Sequence, residues 1–301
     1  IDYDHDAEEW PSSDGTAASS ISGVIKAYSG AANTNVGASL SFNAAGDVLA
    51  IGIPSMTNNS QSGFVHIIER DNTTGQWGRP RDGTTGTNFQ LAGTKSYGFS
   101  NNSNNFGWKV SLNAKGDRLA VSNYTYVSIK GRVYIIDYNY STKSWPQSLT
   151  IETEPYKFTA YYDVSDEGGS NTAALGYSLK LNAAGDRLLI GDHSDKPIEN
   201  AGALYVIDYN AETGGWPNTS GNVISASTYI FKGDNANDLF GSSCAMNALG
   251  NRIAVGAAAF GARDNLYYWE GSDKYGTNNG YVRLYDLLTL PIQLEDCRAL
   301  T

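Results

Sequence analysis

Phe106 to Ser122 reads FGWKVSLNAKGDRLAVS, and the chain contains three close counterparts of it. They are Val36 to Gly52 (VGASLSFNAAGDVLAIG), Leu175 to Gly191 (LGYSLKLNAAGDRLLIG) and Phe240 to Gly256 (FGSSCAMNALGNRIAVG). The equivalent positions Asp47, Asp117, Asp186 and Asn251 recur at a period of roughly 65 to 70 residues, and self-similarity at such a period is the mark of a repeat architecture. Within each copy Leu40/Phe42, Val110/Leu112, Leu179/Leu181 and Cys244/Met246 alternate with Ser, Lys or Ala, the period-2 pattern of a half-buried strand. Asn-Ala-x-Gly-Asp/Asn follows, with Gly46, Gly116, Gly185 and Gly250 at the point where a short hairpin needs a left-handed residue.

The next strand is more continuously apolar (Leu49-Ala50-Ile51, Leu119-Ala120-Val121, Leu188-Leu189-Ile190, Ile253-Ala254-Val255), which predicts a strand covered on both faces. Third strands are predicted at Phe64–Ile68, Val133–Ile136, Leu204–Ile207 and Val282–Tyr285. Short fourth strands are predicted before each repeat at Val24–Tyr28, Phe89–Leu91, Tyr156–Phe158 and Tyr229–Phe231. No stretch keeps helical periodicity for more than about two turns. The expected fold class is therefore all-β, a β-propeller of four-stranded blades with four repeat units visible. The repeats are placed at 23–77, 88–145, 155–216 and 228–286, within a propeller region spanning 23–286. Residues 1–22 read as the end of a preceding repeat plus a linker, and 287–301 as a C-terminal tail. Ile1-Asp2-Tyr3…Trp10-Pro11 matches Ile136-Asp137-Tyr138…Trp145-Pro146 and Ile207-Asp208-Tyr209…Trp216-Pro217. The chain thus opens inside a repeat, and a fragment of a larger protein is expected.

The chain has 301 residues, 21 Lys+Arg against 31 Asp+Glu, and a formal charge of −10, with no basic run to grip phosphates, so nucleic acid is not an expected partner. The longest nearly apolar stretch, Ile253 to Ala262, is far below the ~20 residues a membrane helix needs. Two cysteines, Cys244 and Cys297, allow at most one internal disulfide, which would pin the tail across the last repeat in an oxidising compartment; a buried, hydrophobe-like Cys244 is the alternative.

The run Phe-Gly, six residues, Asn/Ser-x-x-Gly-Asp-x-Leu-Ala-Val-Gly, then Gly-x-Val-x-Ile-Tyr resembles FG-GAP repeats. These form the propeller head of integrin α subunits and occur in extracellular, microbial-surface and viral proteins. The resemblance covers Gly23 to Asp286. It implies a propeller, and a structural or adhesive module on a cell surface, appendage or virion that presents loops to protein neighbours or glycans. Integrin-type repeats often place a calcium loop of alternating aspartates between the first two strands. Asn43-Ala-Ala-Gly-Asp47 and its equivalents carry one acidic residue or none, whereas Ca²⁺ takes six to eight oxygen ligands, so these hairpins are expected to be metal-free.

Asp2, Asp4 and Asp6 alternate like an ion loop, and a Ca²⁺ site there stands beside the simpler reading of a polar inter-strand turn. Catalytic signatures are scarce. No Gly-x-Ser-x-Gly, HExxH or phosphate-binding glycine loop occurs, and a non-enzyme is expected, with no cofactor. The alternative is a secreted carbohydrate-active enzyme with a rim site around Asp192 and His193. The longest insertion, Ala258 to Asn279, holds Tyr267, Tyr268, Trp269 and Tyr275, aromatic groups suited to stacking on a sugar or a protein; inward packing is the competing reading. Sequons at Asn58, Asn72, Asn101, Asn123, Asn139 and Asn218 mark expected N-glycosylation if the source is a secreting eukaryote.

Overall fold

The computed structural model describes residues 35–58, 61–70, 95–98, 105–124, 131–141, 145, 160–163, 174–194, 200–217, 222–258 and 280–287. These residues form four successive antiparallel sheets, the blades. The first holds β1 (Ser39–Phe42), β2 (Val48–Asn58), β3 (Gln61–Glu69) and β4 (Lys95–Gly98). The second holds β5 (Asn105–Leu112), β6 (Arg118–Tyr124), β7 (Arg132–Asp137) and β8 (Ala160–Asp163). The third holds β9 (Leu175–Leu181), β10 (Arg187–Asp192), β11 (Ala203–Asp208) and β12 (Tyr229–Lys232), the last preceded by a one-turn helix, α1 (Val223–Ala226), capped by Asn222. The fourth shows three strands among the described residues, β13 (Phe240–Met246), β14 (Arg252–Ala257) and β15 (Tyr281–Asp286). A single parallel pair, Gly63 with Phe106, ties the first blade to the second, and Gly202 with Phe240 ties the third to the fourth.

Why the second strand of each repeat is the most apolar is now plain. It lies between strands one and three of its own sheet, and in the second and third blades each of its faces is covered by a neighbouring blade. Leu188, Leu189 and Ile190 are all at 0% exposure. The fourth strand pairs with the third strand of the preceding repeat (β4 on β3, β8 on β7, β12 on β11), so a blade runs from one Phe-Gly to the strand just before the next. The observed outer strands β4 and β8 lie a few residues past the expected Phe89–Leu91 and Tyr156–Phe158, which are outside the described residues. The strand expected at Tyr229–Phe231 is β12.

The hairpin motif closes on itself. Asn182 Oδ1 accepts from the backbone amides of Gly185, Asp186 and Arg187 at 2.9, 3.0 and 3.1 Å, and its Nδ2 donates to Asp186 at 2.6 Å. Asn43 with Asp47 and Asn113 with Asp117 repeat the arrangement. The motif's aspartate therefore serves the turn's own asparagine. The turns are also joined blade to blade: the amide of Ala44 donates to Ala114 O, Ala114 to Ala183 O, and Ala183 to Ala248 O.

Blades pack face to face through equivalent residues. Ala50, Val65 and Ile67 of the first share a core with Phe106, Val110 and Leu112 of the second. Ala120, Val133 and Ile135 of the second meet Leu175, Leu179 and Leu181 of the third, and Leu189, Leu204 and Val206 of the third meet Phe240, Ile253 and Val255 of the fourth. At roughly 1.5–3 kcal/mol per fully buried Val, Leu, Ile or Phe, these three seams dominate the fold's stability.

A second set of staples fixes the rim. Arg118 forks onto Asp137 at 2.6 and 2.8 Å and donates its third nitrogen to Gly185 O of the next blade at 2.8 Å, beneath the rings of Tyr209 and Trp216. Arg187 does the same with Asp208 and Gly250 O. Tyr138 with Trp145 and Tyr209 with Trp216 meet edge to face at 5.7 Å, and Trp145 Nε1 donates to Glu69 of the preceding blade. The recurring Ile-Asp-Tyr…Trp run is thus an inter-blade clasp.

Candidate binding site at the loop end of the first strands

The first strands β1, β5, β9 and β13 lie side by side, each against the next. Their hairpin ends converge on a hollow of about 200 Å³ lined from all four blades, with Phe42, Leu112, Leu181 and Met246 contributing side chains. The opposite end carries the connections between second and third strands. These grow along the chain from residues 59–60 to 125–131, 193–202 and 258–280. One end of the assembly is therefore constant and bonded together, and the other is variable.

At the variable end, the residue after each Phe-Gly equivalent is Ala38, Trp108, Tyr177 or Ser242. Trp108 and Tyr177, from adjacent blades, approach to 5.9 Å between ring centroids, and His193 stacks on Tyr177 at 4.2 Å and 13°. Lys109 Nζ lies 5.7 Å from the Trp108 ring. The three rings are half-buried and form one continuous aromatic ledge spanning two blades. Burial holds the His193 imidazole down to about 4, so the ring is neutral at ordinary pH. A neutral, partly exposed aromatic ledge flanked by an ammonium is suited to stacking on a planar or ring-shaped group, a sugar face or an aromatic side chain.

Asp192, grouped with His193 in the rim-site alternative, has a different task. It is 1% exposed, and its Oδ1 accepts from the amides of Ala174 and Ser194 at 2.9 and 3.0 Å and from Ser194 Oγ at 3.2 Å. The carboxylate ties the entry of β9 to the exit of β10 and does not point into an open cleft beside His193.

Cys244 is a free cysteine in the column held elsewhere by Leu40, Val110 and Leu179. Burial pushes its thiol up to about 11, against the opposing hydrogen bond of Ser178. Cys297 lies outside the described residues, as do Asp2, Asp4 and Asp6, the aromatic residues Tyr267, Tyr268, Trp269 and Tyr275, and the sequons at Asn72, Asn101 and Asn218. Asn58 ends β2. Asn139 is exposed and accepts from the Ser141 amide, whereas Asn123 is buried at 6% within β6, which leaves its amide no room for a glycan. Among the described residues no group of three or more His, Cys, Asp or Glu side chains is placed to hold a metal ion. No helix among them is long and apolar enough to cross a membrane.

Trp108 and Tyr177 were missed by the sequence reading because their column also holds Ala38 and Ser242, so no repeat-wide pattern marks it.

No protein-family model and no curated protein matches the chain. Solved structures do. A periplasmic gluconolactonase of Pseudomonas aeruginosa aligns over 85% of this chain and 58% of its own, at 12% identity and a TM-score of 0.42. TolB of Acinetobacter baumannii aligns over 83% and 40%, at 11% identity and 0.37. The β-propeller domain of the Trilobed protease of Pyrococcus furiosus aligns over 82% and 53%, at 10% identity and 0.38. The chain spans about half the length of these proteins. They are β-propeller proteins, and the likeness at this level is one of fold. The expectation of a non-enzyme is corrected here: a gluconolactonase stands among the similar structures, so this architecture does not set the chain apart from enzymes.

Proposed function

We propose that the chain is a propeller-type recognition module, extracellular or on a cell, appendage or virion surface. It holds the loop end of its blades, with the Trp108–Tyr177–His193 ledge, against a glycan or a protein partner. The observation that carries this reading is the contrast between the two ends. The hairpin end is bonded from blade to blade through Ala44, Ala114, Ala183 and Ala248, and the other end carries connections of changing length beside an aromatic ledge. A rigid frame with variable loops is how binding surfaces are commonly built. The aromatic insertion containing Tyr267, Tyr268, Trp269 and Tyr275 joins β14 to β15 and belongs to the same set of connections. The repeat type resembling FG-GAP and the total blade number belong to the same proposal.

The test is a glycan array with the intact chain, alongside Trp108→Ala, Tyr177→Ala and Trp269→Ala, each checked by melting temperature. Binding to a defined glycan that falls at least tenfold in Tyr177→Ala, with melting unchanged, supports the module. Binding unaffected by all three substitutions refutes the ledge. Turnover of a polysaccharide or lactone that His193→Ala removes without loss of fold would replace recognition by catalysis at the rim.

A further inference from the structure

Three equivalent positions on the leading face of each blade are Ala50, Val65 and Ile67 in the first, Ala120, Val133 and Ile135 in the second, and Leu189, Leu204 and Val206 in the third. All nine are at 0% exposure. In the fourth blade the same positions are Ala254, Val282 and Leu284, and here Val282 is 68% and Leu284 79% exposed. The rim staple shows the same break: the side chains of Arg118 and Arg187 are 17% exposed, that of Arg252 is 76%. The chain of turn-to-turn bonds also ends there, since the Ala248 amide donates to no backbone carbonyl among the described residues.

The face carries a shaped recess as well as exposed apolar groups. In the first and third interior seams the next repeat's Phe-Gly fits against two glycines of the preceding blade. A side chain on Gly63 or Gly202 would run into the backbone of Phe106 or Phe240, and one on Gly52 or Gly191 into the carbonyl of Gly107 or Gly241. The equivalents in the fourth blade are Gly280 and Gly256. They line an open hollow of about 350 Å³ with Ser243, Ala257, Tyr281 and Val282. The hollow stands at the position where the interior seams receive the opening edge of the next repeat.

The matching edge is at the other end of the same chain. Val36-Gly37 opens the first blade where Phe106-Gly107 opens the second. Gly37 has the φ of its equivalents (81° against 89°, 84° and 87° for Gly107, Gly176 and Gly241). No described residue lies within 4 Å of where a side chain on Gly37 would stand, whereas one on Gly241 would strike Ala203. Leu40, in the column of Val110 (6%) and Leu179 (9%), is 60% exposed. Both halves of the seam are open at once, so the fourth blade is not seated on the first blade of its own chain.

We infer that a second copy of this chain occupies the leading face of the fourth blade, head to tail, with its Val36-Gly37 in the hollow and its Leu40 over Val282 and Leu284. The contact continues the seam that the chain makes three times internally. Because it joins two different surfaces, it is heterologous, and it builds a ring if the rotation closes and a filament if it does not. This inference does not depend on the glycan reading.

Sedimentation velocity of the intact chain across roughly 1–100 μM tests it, with Leu284→Glu and Leu40→Glu as variants. Both substitutions fall on exposed side chains, and circular dichroism checks the fold. The expected result is a mass that rises from 32.3 kDa with concentration for the parent chain and stays at 32.3 kDa for either variant alone. An equimolar mixture of the two variants is expected to form a dimer and nothing larger, since one supplies an intact leading face and the other an intact trailing edge. A parent chain that remains monomeric throughout overturns the inference. So does association that survives in both variants, or a mixture that stays monomeric.

Discussion

Replacing Asn182 by alanine probes the turn on which the repeat depends, and the fourth blade supplies an internal control. Asn182 is 5% exposed, makes three acceptor bonds to backbone amides and one donor bond to Asp186, and lies under the next turn, where a side chain on Gly250 would press on it. A net hydrogen bond is worth about 0.5–1.5 kcal/mol, and a buried donor left without an acceptor costs about 1–3 kcal/mol. The four bonds share one side chain and do not add fully, so Asn182→Ala is expected to cost about 2–4 kcal/mol. Asn247 holds the same position in an exposed turn, with bonds to the Arg252 amide at 3.0 Å and to Asn251 at 2.8 Å. Water can replace both, so Asn247→Ala is expected to cost about 1 kcal/mol or less. Urea unfolding followed by tryptophan fluorescence measures the difference as a shift in midpoint at constant slope. Equal costs at the two sites, or an Asn182→Ala effect under about 0.5 kcal/mol, would refute the claim that neighbouring blades seal these turns.

The rim staple gives a similar pair: Arg187→Lys loses the planar fork to Asp208 and the bond to Gly250 O and is expected to cost about 1–2 kcal/mol, against under about 0.5 for Arg252→Lys, measured by the same unfolding curves. Gly202→Ala is expected to destabilise by more than about 3 kcal/mol, because it combines a φ of 81° with a collision on Phe240. Gly214→Ala, at φ 68° with open space around it, is expected to cost about 1–2 kcal/mol, and thermal melts of the two variants rank them. The folded-state pKa of His193, about 4, lies below its unfolded value near 6.5. Protons therefore bind the unfolded chain first, and stability is lost as pH falls from about 6.5 to 4. His193→Phe keeps a ring against Tyr177 and is expected to flatten that part of the stability–pH profile; an unchanged slope would count against burial of the imidazole.

Much of the fold is legible in the residues themselves. The alternation in Val110/Leu112 and its counterparts, the glycine of each turn and the continuous apolar second strands are local signals, and the strands formed where those signals lie. The outer strands were displaced because an edge strand has one hydrogen-bonded neighbour and a short, weakly patterned sequence: Lys95–Gly98 and Ala160–Asp163 carry no repeat signature. The aspartate of the first three turns reads in the sequence only as too little acid to hold calcium, and the geometry shows it bonded to the asparagine four residues earlier. The clasp of Asp208, Tyr209 and Trp216 was visible as a repeated run, but its purpose lies in two arginines, Arg187 of the neighbouring strand and Arg118 of the preceding blade, which no linear spacing reveals. The ledge of Trp108, Tyr177 and His193 is assembled from two blades and was out of reach for the same reason.

The central claim is that the repeats are blades stacked face to face with the leading face of the fourth left open. Single cysteines placed at Val133, Leu204 and Val282 in a background with both native cysteines replaced (Cys244→Ser and Cys297→Ser), labelled with a thiol reagent at submicromolar protein, test it directly. The account predicts that the cysteine at 282 reacts at the rate of an exposed thiol and becomes protected as the protein concentration rises. Those at 133 and 204 should react only through unfolding. Similar rates at all three positions would contradict the stacking of the blades.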